Sequence, residues 1–407
     1  MTQVAIVGAG AAGLATGIFI RRLNPALSVT LFDGAAKPGA KILVSGGSRC
    51  NVTNVAVTER DFWGGKPTII RRVLRGLPVT DTVAWFASLG VPLHEEAHGK
   101  LFPDSNRSRD VLDALMRELD ASGATLRPST RITAITRSPA GFVLQTPGES
   151  IHADVVVLAT GGQSLPKTGS DGAGLAMARD LGHRIVPTTP ALAPLIVERT
   201  APGVQGVAHD VDLTVWVDGS VGVRLSGALL WTHFGVSGPV VLDASRHWLR
   251  AALEDRAVRV TVNLFPGESF ERVDADWTAR AVARPRTSLH TTLTDALPAS
   301  LASLVLQHLQ LDETTPLAHL ARSDRRRLAH ALVEWPLAVT GSRGYNYAEA
   351  TAGGVALDEL NPASMESRRC AGLYLVGEML DVDGRIGGFN FQWAWSSARV
   401  AARAIIT

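Results

Sequence analysis

VAIVGAGAAGLATGIFIRRL, residues 4–23, followed by VTLFD at 29–33, decides how this chain begins to fold. Val4 to Val7 is a short apolar run stopped by Gly8, and Val29 to Phe32 is a second one, with a helical stretch from Ala11 to Arg22 between them. That order, strand, helix, strand, is the opening unit of a parallel α/β sheet. Three glycines mark the first turn. Gly8 permits the tight bend, Gly10 leaves room for the backbone to approach a diphosphate, and Gly13 lets the helix pack closely. The helix start then offers free N–H groups and the positive end of a dipole to an anion. Asp33 ends the second strand, where a carboxylate accepts hydrogen bonds from a ribose diol. Asp is also a common turn residue at such a place. The unit predicts a dinucleotide-binding domain, and on its own it allows either NAD or FAD.

The 407 residues are 46% hydrophobic and 19% charged, enough apolar material for a sizeable core. A net charge of +2 argues against a dedicated polyelectrolyte binder. Arginine clusters at Arg71, Arg72 and Arg75 and at Arg325, Arg326 and Arg327 could touch nucleic acid, but solvated helix faces produce the same pattern more often. The two cysteines, Cys50 and Cys370, have no CxxC spacing and the histidines are scattered, so neither a disulfide framework nor a zinc site is expected. Asp381 and Asp383 lack further ligands, and no metal is expected there. MTQVAIVGAG has no charged leader before an apolar stretch, and runs such as Ala153 to Ala159 fall short of a bilayer span. A cytoplasmic protein without a membrane partner or a stable protein partner is the expectation.

Changes of pattern divide the chain. Residues 1–188 and 341–407 read as one discontinuous dinucleotide-binding domain carrying a mostly helical insertion near 61–123, which is expected to cover the site. Segments at Arg131 to Thr136, Gly141 to Gln145 and Asp154 to Ala159 read as strands returning to the sheet. Residues 189–265 have β character, as in DLTVWVDG, and 266–340 are rich in Ala, Leu and Arg with helical spacing.

Two stretches favour FAD over NAD. KPGAKILVSGGSRCNVTN, residues 37–54, is a glycine-rich passage able to run close to a flat ring, and GLYLVGEMLDVDG, residues 372–384, puts a Gly-Glu pair at a strand end. The following GGFNFQWAWSSARVAARAI, residues 387–405, starts a helix beneath a glycine pair. This ending resembles the closing motif of FAD enzymes, in which the acidic residue binds the ribitol and the helix start faces the flavin pyrimidine. Glu378 and Asn390 take those positions. The expected cofactor residues are Gly8, Ala9, Gly10, Ala11, Ala12 and Gly13 in the turn, with Asp33 and Gly34 after the second strand. Lys41, Ser45, Gly46, Gly47 and Asn51 come from the glycine-rich passage, and Thr160, Gly161 and Gly162 from a strand end. Gly377, Glu378, Asp383, Gly388, Phe389, Asn390 and Phe391 complete the set from the closing motif.

SGGSRCNVTN, HGKLFPDSNRSRDV, ATGGQSLPKTGSDGAGLAMARDLGH, TAGGV and GEMLDVDGRIGGFNFQWAWSSA together resemble the HI0933-like, or BaiN-like, flavoprotein family over essentially the whole chain. The departures are Asp33, where the family more often has Glu, and Ser48, where Gly is usual. The resemblance implies a Rossmann-like FAD domain of the glutathione-reductase type with a β-barrel-like insert and a helical insert. It also implies reduction of carbon–carbon double bonds, in steroid-like enones for some relatives and in a uridine of ribosomal RNA for others. Such a reaction delivers a hydride from reduced flavin to one alkene carbon and a proton to the next. No second GxGxxG follows a strand, so NAD(P)H, as reductant, is expected to visit the flavin transiently.

Cys50 is the sharpest proton-donor candidate, because a thiol can protonate a carbanion-like centre and the family motif carries it past the ring. The competing reading is a small buried hydrophobe. Arg49 either offsets negative charge on flavin or substrate or anchors its loop. Tyr345 and Tyr347 are candidates for stacking, and Lys100, His94 and His98 lie in the insertion. Monooxygenase or dehydrogenase chemistry, and a non-catalytic FAD-binding role, remain the alternatives.

Overall fold

The computed structural model describes residues 2–198 and 203–407. The chain forms two compact units, Met1–Pro190 with Tyr345–Thr407, and Ala191–Gly344.

The first unit is organised by a five-stranded sheet whose order is Leu373–Leu375, Val155–Leu158, Gln3–Val7, Ser28–Phe32 and Thr125–Arg127. Every described pairing in it is parallel, with Ala5 flanked by Val156 on one side and Thr30 on the other. Parallel strands are covered on both faces, which is why these runs are near-continuously apolar and not alternating. The helix Ala11–Leu23 buries Ala12 through Ile20. Each large apolar side chain removed from water there contributes roughly 1.5–3 kcal/mol. The C-terminal helix, Phe389–Ile405, packs along it and is buried around much of its circumference, including both Trp393 and Trp395. The sheet thus draws strands from both ends of the sequence, and the glycine turn and the closing motif meet at its carboxyl edge. Gly377 comes so close to the first helix that a methyl on it would lie 2.7 Å from Ala12 Cβ.

One local expectation needs correction. Only Val155–Leu158 returns to the parallel sheet; Ala134–Ser138, Gly141–Gln145 and Ser150–Ala153 form a separate antiparallel sheet. Two residues, Pro139 and Ala140, join the first pair, and so short a link can make a hairpin but never a parallel crossover. The insertion holds the helices Pro67–Leu74, Val79–Ser88 and Ser108–Ala121, but also the hairpin of Leu93–Glu96 with Lys100–Pro103. Strand Thr53–Asn54 adds to that hairpin and ties the insertion to the glycine-rich passage.

In the second unit the β-rich and helical stretches share one core. Leu213, Val215 and Val262 from strands are buried in the same cluster as Leu301, Val305 and Leu328 from helices. A long helix, Pro239–Leu253, interrupts the β stretch and packs on its strands. The seven-stranded sheet begins with Trp335–Leu337 and ends with Val339–Ser342. Those two edge strands are separated by Ala338 alone, so the sheet has to curl until its edges meet, which gives the barrel-like form.

Candidate functional site

The first helix starts at Gly10 with no side chain capping it, so its leading N–H groups face outward without a side-chain acceptor. The three glycines differ in what crowds them. A methyl on Gly13 would lie 1.9 Å from the Gly8 carbonyl oxygen, and one on Gly8 would lie 2.5 Å from that of Ala159. A methyl on Gly10 would meet nothing within 4 Å. Packing therefore demands glycine at 8 and 13, whereas at 10 only a group outside the protein can demand it. Asp33 accepts from the Ala9 N–H at 2.8 Å and from the Ala35 N–H at 2.8 Å. It braces the glycine turn and closes its own turn, as the turn reading of Asp33 expects. Gly34 lies against the Arg131 side chain.

The glycine-rich passage contains a helical turn that the composition did not suggest. Helix assignment runs over Ala40–Ser48, broken at Ser45, Gly46 and Gly47, where the backbone leaves helical geometry. Gly46, Gly47, Ser48 and Cys50 all have positive φ, between 55° and 67°. Near the start of this turn the Lys41 ammonium donates to both Ser164 Oγ and the Glu378 carboxylate. Ser164 Oγ in turn donates to Glu378 at 2.6 Å, and the backbone N–H groups of Gln163 and Ser164 donate to Thr351 Oγ1 at 2.8 and 3.1 Å. Three distant segments are thereby knotted around one carboxylate. Gly162 sits within this knot, where a methyl would lie 2.4 Å from Thr351 Oγ1. Gly161 has φ 71°, and the Thr160 hydroxyl lies 4.0 Å from Met379 Sδ.

The C-terminal helix holds the rest of the site by its side chains. Gln392 donates to the Leu77 carbonyl at 2.7 Å and to Thr82 at 3.0 Å, and accepts from the Thr53 hydroxyl at 2.6 Å. Trp395 donates to the Val52 carbonyl and Trp393 to that of Gly377. Each such bond is worth about 1 kcal/mol when both partners are buried. Together they fix the exit of the glycine-rich passage against the helix start at Gly388. Phe389 and Asp383 are buried, and Ser45 Oγ bonds back to the Ile42 carbonyl.

Several candidates turn out to serve the scaffold. Cys50 is fully buried, and burial pushes its thiol up to about 12, against a smaller opposing pull from Ser45. A thiol without exposed surface is packing material, so the proton-donor reading gives way to the buried one. Arg49 pairs with Glu96 at 2.6 Å and lies over the Phe102 ring at 4.1 Å, contacts that anchor its loop. The Asn390 amide bonds back to Gly384, accepting its N–H at 2.8 Å and donating to its carbonyl at 3.0 Å. Phe391 stacks on Trp395, with centroids 5.6 Å apart. Sequence reading missed Ser164 and Thr351, although both lie in stretches already singled out, because their value comes only from the knot.

The residues present fit a flavin dinucleotide. Gly10 leaves open space before an uncapped helix, and Asn51 Oδ1 is buried with no hydrogen-bond partner among the described residues. A buried acceptor of that kind calls for a donor, and it lies in the stretch expected to pass the ring. No helix of the described residues is long and apolar enough to cross a membrane.

The model of the HI0933-like protein Rossmann domain matches residues 2–404. The chain is 32% identical over 405 residues to a 3-dehydro-bile acid delta(4,6)-reductase of Clostridium scindens, covering 99% of each. It is 33% identical over 401 residues to a ribosomal RNA dihydrouridine synthase of Escherichia coli, covering 98% of this chain and 97% of that one. A ribosomal RNA dihydrouridine synthase of Haemophilus influenzae is 32% identical over 405 residues, at 98% and 97% coverage. With its glycine turn, flavin-fitting knot and closing helix, the chain belongs to the HI0933-like family of FAD-dependent oxidoreductases.

Proposed function

We propose that the protein reduces a carbon–carbon double bond conjugated to a carbonyl. The observation that carries this reading is the full-length similarity to relatives whose two names describe one bond change. A 3-oxo steroid with unsaturation at position 4 and a uracil with its 5,6 double bond both present an alkene polarised by a neighbouring carbonyl. Bound FAD would supply the two-electron hydride store for such a bond. The chain's own residues bind and orient. The first helix start, opened by Gly10, takes the diphosphate, with Asp33 holding the turn in shape. Glu378, held by Lys41 and Ser164, offers its carboxylate to the ribitol hydroxyls. The start of the C-terminal helix favours negative charge on the pyrimidine end. NAD(P)H is the proposed reductant, visiting the site transiently, and the substrate is either a uridine within ribosomal RNA or a small enone.

The test is anaerobic. The yellow protein is mixed with NADPH or NADH until the flavin absorbance bleaches, then given unmodified ribosomal RNA or a 3-oxo-4,6-diene bile acid. Reoxidation by one of them, with the saturated product found by mass spectrometry, supports the proposal and names the substrate. Reoxidation by oxygen but by neither alkene would overturn it in favour of an oxidase or monooxygenase.

A further inference from the structure

Glu349 was not among the expected site residues, yet it lies beside the knot. It immediately precedes the strand Ala350–Val355, whose Thr351 holds Gln163 and Ser164, and its own carbonyl lies 3.5 Å from Ser164 Oγ. Its carboxylate is taken up by no hydrogen bond or ion pair among the described residues. The side chain is open to water, yet enough protein surrounds it for burial to raise its carboxyl, against the opposing pull of Lys41 and Lys100. Two lysines mark its surroundings. Lys41 is held at Glu378, the ribitol end, while Lys100 lies against Gly387, where a methyl would be 3.7 Å from Lys100 Cγ, at the start of the C-terminal helix. The Glu349 carboxylate feels both ammonium groups, one held at Glu378 and the other beside the start of the C-terminal helix. Glu378, the carboxylate held by Lys41, is already bound by Lys41 and Ser164.

We propose that Glu349 is the acid that protonates the substrate carbon adjacent to its carbonyl, an assignment that rests on the alkene-reductase reading. Bound FAD, once reduced, would supply the hydride for the far alkene carbon. The Glu349 O–H bond breaks as the new C–H bond forms, and the carboxylate left behind recovers its proton from water. A carboxylic acid suits this task only where it stays protonated near neutral pH, which burial favours and the two lysines oppose. Cys50, sealed in the core, leaves this role open.

The experiment uses the FAD-loaded full chain as wild type, Glu349→Gln and Glu349→Asp. Dithionite reduces each one, and reoxidation is followed with the 3-oxo-4,6-diene bile acid and with unmodified ribosomal RNA. Infrared difference spectra between wild type and Glu349→Gln, taken across a pH series, read the protonated carboxyl directly without any substrate. The expected result is full FAD content and dithionite reduction in Glu349→Gln, with reoxidation by the alkene slowed by about a hundredfold or more. The alkaline limb of the wild-type pH profile should vanish in that variant, Glu349→Asp should restore part of the rate, and wild type should show a carboxyl band that Glu349→Gln lacks. Wild-type reoxidation rates in Glu349→Gln, or no carboxyl band near neutral pH, would overturn the assignment while leaving the alkene reading standing. A wild type that no alkene reoxidises would overturn the alkene reading and this role with it.

Discussion

Lys41 donates to Glu378 across the 337 positions that separate them, and that bond joins the glycine-rich passage to the closing motif. Both side chains are mostly enclosed, with 25% and 18% of their surface exposed. Ser164 supplies the second donor to the same carboxylate. Replacing Lys41 by Met should leave Glu378 half satisfied and cost about 1–3 kcal/mol. If the knot shapes the ribitol end of the site, FAD affinity should also fall, by about tenfold for each 1.4 kcal/mol borne by the bound state. Thermal midpoint and the flavin-to-protein ratio after gel filtration measure the two effects. A lowered midpoint with unchanged flavin content would make the knot a scaffold feature only.

The glycine turn predicts opposite outcomes for two similar changes. Gly13→Ala drives a methyl into the Gly8 carbonyl, which is backbone and cannot step aside, so the variant should be poorly folded with or without FAD. Gly10→Ala meets no protein atom, and should fold with a near-normal circular dichroism spectrum while losing flavin. A Gly10→Ala protein that retains stoichiometric FAD would move the diphosphate away from this turn.

Much of this was legible in the sequence because it is local. The first strand, helix and strand follow from apolar runs and three glycines, and the Gly-Glu of the closing motif marks its own strand end. Ser164 and Thr351 were not legible, since a hydroxyl acquires a role only when chain segments almost two hundred residues apart meet. For the same reason nothing in GGFNFQ announces that the Asn390 amide turns back onto Gly384. The hairpin after Ala134 was within reach of reading, because its two-residue link excludes a parallel partner. Period-two alternation alone does not tell a parallel strand from an antiparallel one.

Cys50 makes a prediction from its burial. With a thiol pushed up to about 12, the thiolate fraction at pH 8 is on the order of one in ten thousand. Ellman's reagent should therefore count neither Cys50 nor Cys370 in the native protein and both in denaturant, since both are buried. Cys50→Ala should lower the folding stability by about 1 kcal/mol through lost packing, with FAD content and alkene-dependent reoxidation within about threefold of wild type on the stated assignment of the proton elsewhere. A variant that keeps its flavin but loses alkene turnover would return the proton to this thiol.

His183 and Glu359 predict how the fold responds to acid. The His183 ring is buried, bonded to Glu359 at 3.0 Å and to Ser367 at 2.8 Å. Burial holds its pKa below 6.5, outweighing the upward pull of Glu359. The native ring therefore stays neutral while the unfolded chain takes up a proton, and stability falls as pH drops below about 6.5. Burial pulls Glu359 upward, but the Arg184 N–H at 2.9 Å, Arg369 at 2.9 Å and His183 together hold its carboxyl below 4.5. Its contribution is present above pH 4.5 and lost on further acidification. Both groups act in the same direction, so urea midpoints should decline from pH 7 to 5 and more steeply below. Glu359→Gln should cost about 1–3 kcal/mol at pH 7 by weakening charge-assisted hydrogen bonds, and the gap to wild type should narrow below pH 4.5. Denaturation curves that stay parallel between the two proteins over that whole range would mean that Glu359 is protonated, or unpaired, in the native state.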